Sequence, residues 1–309
     1  MDQAQQLRNI IKNENTPQRP LARVITVTSG KGGVGKSNVA INLAIQFRKM
    51  GQRVIILDAD FGLANIEIMF GTVPKHNLSD LIYQGKNIKD VITWGPMDVG
   101  FISGGSGISG MYNLSRDYLV YIIVNLAELD AIADTIIIDT GAGISNAVME
   151  FLVASGEIIL VTTPEPTSIT DSYSLLKALN QYPRFSKDNT VIKVVSNKVT
   201  TDEEGQQLFN KLNAVVARYQ KLPLTYLGAI PQDQYLARSV MQQTPVSIQY
   251  PNARSTKAFE SIAGALSGKG AVEIKPRGMA AFFSHIITGR KLSSTTAGGS
   301  NQTASANNT

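Results

Sequence analysis

From residue 23 to about residue 266, two kinds of apolar pattern take turns along the chain. Short runs at 23–28, 54–58, 99–103, 134–139, 157–163, 190–197 and 224–231 are built largely from valine, isoleucine, leucine and threonine. Runs that are apolar at odd and even positions alike predict strands buried on both faces of a sheet. Between them, apolar residues at three- and four-residue intervals predict helices near 37–48, 115–129, 168–180, 201–219 and 254–266. Unbroken strand–helix alternation is what parallel crossovers produce. The expected fold is a doubly wound α/β domain, a mostly parallel sheet with helices on both faces. A chain of 309 residues has room for two domains, but the alternation shows no break, so one is expected.

The first strand runs straight into Gly30-Lys-Gly-Gly-Val-Gly-Lys-Ser37, and a helix follows. Gly30, Gly35, Lys36 and Ser37 meet the phosphate-loop pattern in the strand–loop–helix setting that the pattern requires. The backbone N–H groups of Gly30, Lys31, Gly32, Gly33, Val34, Gly35 and on to Asn38 are expected to cradle phosphate. Lys36 reaches the β- and γ-phosphates, and Ser37 offers a hydroxyl to Mg²⁺. Lys31 is one lysine more than the pattern needs, and inside the loop it would repel Lys36 unless polyphosphate lay between them. Two other apolar runs deliver acids, Asp58 and Asp60 after the second strand and Asp139 at the end of 134–139. The carboxyl ends of strands are where open α/β sheets bind ligands.

The K-G-G-V-G-K-S form resembles the deviant Walker A motif of the MinD/ParA family of P-loop ATPases. Stretches 54–65, 134–143, 190–197 and 224–233 are similar to that family's in order and spacing, so the resemblance covers roughly residues 23–268. It implies a MinD-like ATPase that takes ATP and Mg²⁺ and closes as a homodimer with ATP. Lys31 would then reach across to the partner's nucleotide. It further implies that Asp58 and Asp139 support the metal with Ser37, that Asp60 orients the attacking water, and that Asn197, Pro231 and Asp233 flank adenine.

Composition narrows the relatives. There is no cysteine, which excludes disulfides, thiolate metal sites and the members of the superfamily that carry iron–sulfur clusters. The net charge of +5 sits at the ends, with +2 in residues 1–23, +4 in residues 269–309 and −1 in the body between. A body without a basic stripe argues against specific nucleic-acid binding. In the basic C-terminal stretch, Met279, Phe282, Phe283, Ile286 and Ile287 share one helical face, flanked by Lys275, Arg277, Arg290 and Lys291. The pattern predicts an amphipathic helix within 269–291, lying on an anionic membrane surface rather than spanning it. A last core helix packed on the body is the alternative. Residues 292–309 are polar and of low complexity, and are expected to be disordered.

At the other end, Asp2 can cap a short helix ahead of a proline-flanked linker, so residues 1–22 are read as a separate segment. Asp2, Gln3, Ala4, Leu7 and Arg8 form a D-Q-A-x-x-L-R motif similar to that of the flagellar-number regulators of the family, the FlhG group, as is D-T-G-A-G at 139–143. This resemblance implies stimulation of an FlhF-type GTPase, contact with proteins of the flagellar basal body (C-ring), and a cytoplasmic protein peripheral on the membrane when ATP-bound. A division-site ATPase of MinD type would lack the N-terminal motif, and a ParA-like partition ATPase would hold DNA non-specifically.

Overall fold

The structure, a computed structural model, describes residues 21–60, 65–104, 116–268 and 278–286. The N-terminal motif, Ile287 and the tail lie outside these residues. The strands are β1 (Arg23–Ser29), β2 (Val54–Ala59), β3 (Thr93–Trp94), β4 (Gly100–Ser103), β5 (Thr135–Ala142), β6 (Glu157–Thr162), β7 (Val191–Val199) and β8 (Leu224–Pro231). Helices of the first half are α1 (Lys36–Lys49), α2 (Asn65–Phe70), α3 (Leu78–Gln84), α4 (Ile88–Val91), α5 (Arg116–Ala127) and α6 (Leu129–Ile132). Those of the second half are α7 (Asn146–Ala154), α8 (Pro166–Asn180), α9 (Asp202–Gln220), α10 (Gln234–Met241), α11 (Val246–Gln249) and α12 (Arg254–Ser267). A last helix, α13, occupies 278–286.

One eight-stranded sheet runs in the order β3-β4-β2-β5-β1-β6-β7-β8. Every pairing is parallel except β3 with β4. All seven expected strands are present, and β3 is an addition: two residues, Thr93 and Trp94, too short to leave a periodic signal. The central strands are buried on both faces, as their unbroken apolar runs require. Ile25, Val27, Ile137, Ile159 and Val195 face α1 and α12, while Ile136 and Ile138 face the opposite side with α3, α4, α5 and α13. On that second face, Ile158, Leu160, Ile192 and Val194 pack under α8 and α9. Helix α7 joins the two groups there, giving Phe151 to one and Leu152 to the other.

The lower edge of the sheet is tied by buried ions. Glu157 accepts from Arg23 and from Lys193, each at 2.7 Å, and Arg23 Nη1 also donates to the Leu266 carbonyl at 2.9 Å. Burial by itself would raise the Glu157 pKa, but the two cations outweigh it and hold that carboxyl below its usual range.

Helix α13 is where the structure departs from the favoured expectation. Met279, Phe282, Phe283 and Ile286, expected to face lipid, are buried against the body at 0–3% exposure. Phe282 and Phe283 pack on Phe151 of α7, the second edge-on, with ring centroids 5.9 and 6.4 Å away. Both helix ends are held by the right charge for its dipole. At the start the Met279 N–H donates to both Asp130 oxygens, at 3.0 and 3.2 Å. At the end Arg184 donates to the His285 carbonyl at 2.9 Å, while its other nitrogen is paired with Glu150. An amphipathic stripe suits a bilayer and a protein core equally well, and here the body supplies an apolar seat.

Candidate nucleotide-binding site

β1 lies between β5 and β6, so the loop after it sits over the middle of the sheet's carboxyl edge. Two glycines there are obligatory. A Cβ on Gly30 would fall 2.3 Å from the backbone of Asp171 in α8, and Gly35 has φ +91°, the left-handed conformation that turns the chain into α1.

Lys36 and Asp139 form the centre of the site. The ammonium donates to Asp139 Oδ1 at 2.7 Å, and both side chains are buried. Burial pushes the Asp139 pKa up, and Lys36 and the Ser37 hydroxyl pull it back. Beside it, Asp58 accepts from the Asp60 and Ile66 N–H groups at 3.1 and 3.4 Å. Its pKa is pushed up to about 7, first by burial and then by the Asp139 charge. Asp60 is less buried and accepts from Asn65 at 3.3 Å. Ser37, Asp58, Asp60 and Asp139, expected from sequence, are thus brought together with Lys36 at one point.

The cluster fits a hard cation. Asp139 Oδ2 is buried without a hydrogen-bond partner, which leaves it open to a metal-bound water. Among the described residues, no three acidic or histidine groups form a metal cage by themselves. Magnesium does not need one, because it keeps waters and takes phosphate oxygens as ligands.

Lys31 stands apart from this centre. Its ammonium donates to Glu165 and to the Thr167 hydroxyl, each at 2.7 Å, at the start of α8. The Lys31 hydrogen bond holds the Glu165 carboxyl below its usual pKa. No sequence signal marked Glu165 or Thr167 as the surplus lysine's partners.

The three residues expected at the base each make contacts within the protein. Asp233 caps α10 by accepting from the Tyr235 N–H at 2.9 Å, and its other oxygen accepts from Ser255 N and Oγ. Pro231 ends β8 beside a groove of about 730 Å³ between α9 and α12, which contains no residue of the phosphate loop. Asn197 turns its amide onto the loop itself, donating to the Val34 carbonyl at 2.7 Å. Lys198, which no motif in the sequence marks, donates to the Gly33 carbonyl at 2.8 Å.

Known proteins share this arrangement of sequence and fold. The CobQ/CobB/MinD/ParA nucleotide binding domain matches residues 25–246. The antiactivator FleN of Pseudomonas aeruginosa is 37% identical over 261 residues, covering 84% of this chain and 91% of that protein. The flagellum site-determining protein YlxH of Helicobacter pylori is 32% identical over 294 residues, covering 93% and 98%. Among solved structures, the cell division ATPase MinD of Pyrococcus furiosus has the same fold, with a TM-score of 0.61 at 24% identity over 80% of this chain and 98% of that one. MinD of Pyrococcus horikoshii, complexed with Mg-ADP, is similar at a TM-score of 0.61 and 23% identity over 80% and 96%.

Proposed function

The chain belongs to the MinD/ParA family of nucleotide-binding P-loop proteins, on the branch of FleN and YlxH, and on that premise we propose an ATP-driven switch that controls flagellar number and placement. The observation that carries this reading is the buried group of Lys36, Asp58 and Asp139 under the phosphate loop, with Ser37 and Asp60 beside it. Lys36 would exchange its ion pair with Asp139 for the β- and γ-phosphates. Ser37, Asp58 and Asp139 would hold Mg²⁺ through its hydroxyl and water ligands, and the ion would neutralise the developing phosphate charge. Asp60 would orient water in line with the γ-phosphate, where catalysis is almost entirely positioning and charge stabilisation. The Lys31 ammonium points away from the site centre to Glu165 and Thr167, and closing two subunits face to face would exchange those contacts for the partner's nucleotide.

Helix α13 would be the membrane element. Burying its four apolar side chains contributes at most about 8 kcal/mol at about 2 kcal/mol each. A helix with that anchorage stays on the body in water and leaves only for another apolar phase. Lipid offers one, and a dimer offers two helices at once, which raises effective affinity by roughly 10² to 10⁴ without a new contact. The N-terminal D-Q-A-x-x-L-R segment would act separately, on an FlhF-type GTPase, with basal-body proteins as further partners.

Protein incubated with Mg-ATP should hydrolyse it, elute as a dimer when hydrolysis is blocked, and sediment with anionic liposomes. With ADP it should elute as a monomer and remain in the supernatant. Deleting residues 1–20 should abolish GTPase stimulation and leave ATP turnover unchanged. A protein that turns over no ATP, or one that sediments equally with ADP, contradicts the reading.

A further inference from the structure

We propose that Asn197 and Lys198 are a paired brace that aims the N–H groups of the phosphate loop, an inference that rests on the nucleotide site described above. The argument begins with the peptide bond. In a trans peptide the C=O of one residue and the N–H of the next point in opposite directions, and the described chain contains no cis peptide. A loop that gathers N–H groups around an anion must therefore turn the preceding carbonyls away from it.

Three successive carbonyls of this loop are fixed from behind. Gly33 O accepts from Lys198 Nζ at 2.8 Å, Val34 O from Asn197 Nδ2 at 2.7 Å, and Gly35 O from the Val39 N–H at 3.1 Å. The N–H groups of Val34, Gly35 and Lys36 are thereby set on the opposite side. The third bond is the ordinary first bond of α1, whereas the other two come from neighbouring residues at the end of β7.

Neighbours in a strand point to opposite faces, so two adjacent residues should not reach one loop. Lys198 solves this with a positive φ of 58°. It sits where the β7–β8 register shifts between Asn197 and Val199, as the extra residue of a bulge that re-aims a side chain. The Asn197 amide is itself oriented, because its Oδ1 accepts the Lys198 N–H at 2.9 Å and leaves Nδ2 to face the loop. It also closes off Gly35, where an added Cβ would lie 2.4 Å from Nδ2. A lysine in the left-handed region is strained, and such strain persists where surrounding structure holds it for a purpose.

A brace of this kind sets affinity for the phosphates and is indifferent to the base. Binding of ATP and of inorganic tripolyphosphate, each measured with Mg²⁺ by displacement of a fluorescent ATP analogue, separates it from base recognition. Asn197→Ala should weaken both ligands by the same factor, about 10- to 100-fold, the usual result of orphaning a buried hydrogen-bonding group. Lys198→Met should weaken both by about three- to tenfold, its bond being exposed and partly replaced by water. Lys198→Arg restores a donor and should recover most of the loss. Because Lys198 is exposed, its variants should melt with the parent, so reduced affinity there cannot be attributed to unfolding. Loss of ATP affinity with tripolyphosphate unaffected in Asn197→Ala, or unchanged affinities in Lys198→Met, would overturn the brace. A parent protein that binds neither ligand would instead overturn the nucleotide-site reading.

Discussion

The phosphate loop and the seat of α13 are both places where this fold buries something awkward, and they do it by opposite means. Around Lys36 and Asp139 the buried groups are charged, and each is matched by a partner at a fixed distance. Under α13 they are apolar, matched only by shape, with charge confined to the two helix ends. Directional contacts define one arrangement and give chemistry. A greasy face is satisfied by any apolar surroundings, so it can serve as core in one state and as anchor in another.

The sharpest way to test this contrast is to remove a directional group without touching the packing. Asp60→Ala should retain ATP binding while turnover falls by about 10²- to 10⁴-fold, because water positioning is lost and phosphate binding is not. Turnover at the parent rate would remove Asp60 from the mechanism.

Next comes the apolar side. Phe283→Glu puts a carboxylate at a site 1% exposed, and should destabilise the nucleotide-free protein by about 3–5 kcal/mol in chemical unfolding. Unfolding that matches the parent would mean that α13 is detached in water.

An effect of similar kind but of dependent sign is expected at Asp58. Folding raises its pKa from 3.8 to about 7, so the folded state binds the proton more tightly than the unfolded chain. Parent stability should therefore fall as pH rises through that window. Asp58→Asn removes the penalty: it should be more stable than the parent by about 2–4 kcal/mol above pH 7, with the difference vanishing toward pH 4. A pH-independent difference would refute the shift.

The smallest effect should come from Arg184→Gln, which loses the contact to the last turn of α13. About 2 kcal/mol of stability should go, because the buried Glu150 loses its paired cation as well, together with a modest rise in liposome binding at equal nucleotide, measured by sedimentation. Liposome binding below the parent's would argue that Arg184 serves the membrane rather than the seat.

What could be read from the sequence follows the same division. The phosphate loop is encoded locally, since glycines at fixed offsets state the backbone conformation and the lysine follows directly. The strands were legible because burial on both faces leaves unbroken apolar runs, while β3 and short helices such as α4 and α6 are too brief to carry a period. Asp58 and Asp139 could be placed because each ends such a run. The contacts of Lys31 with Glu165 and of Asn197 with Val34 span more than 130 residues, and nothing in either segment announces the other. The seat of α13 was illegible for a different reason. Its stripe marks a face, but a face does not say what covers it.

Helix α13 lies on Phe151 and shares one continuous apolar cluster with Leu126, Leu129 and Ile136. Lending the helix to a bilayer would therefore unroof the lender. A membrane-bound molecule would carry an open greasy trench on its flank, with Asp130 at one end and Arg184 at the other, and water makes a poor lid for it. Lipid tails, a neighbouring molecule or a client's own helix would each be drawn to it, so the act of anchoring would also advertise a vacancy, visible only at the membrane and gone once the helix returns.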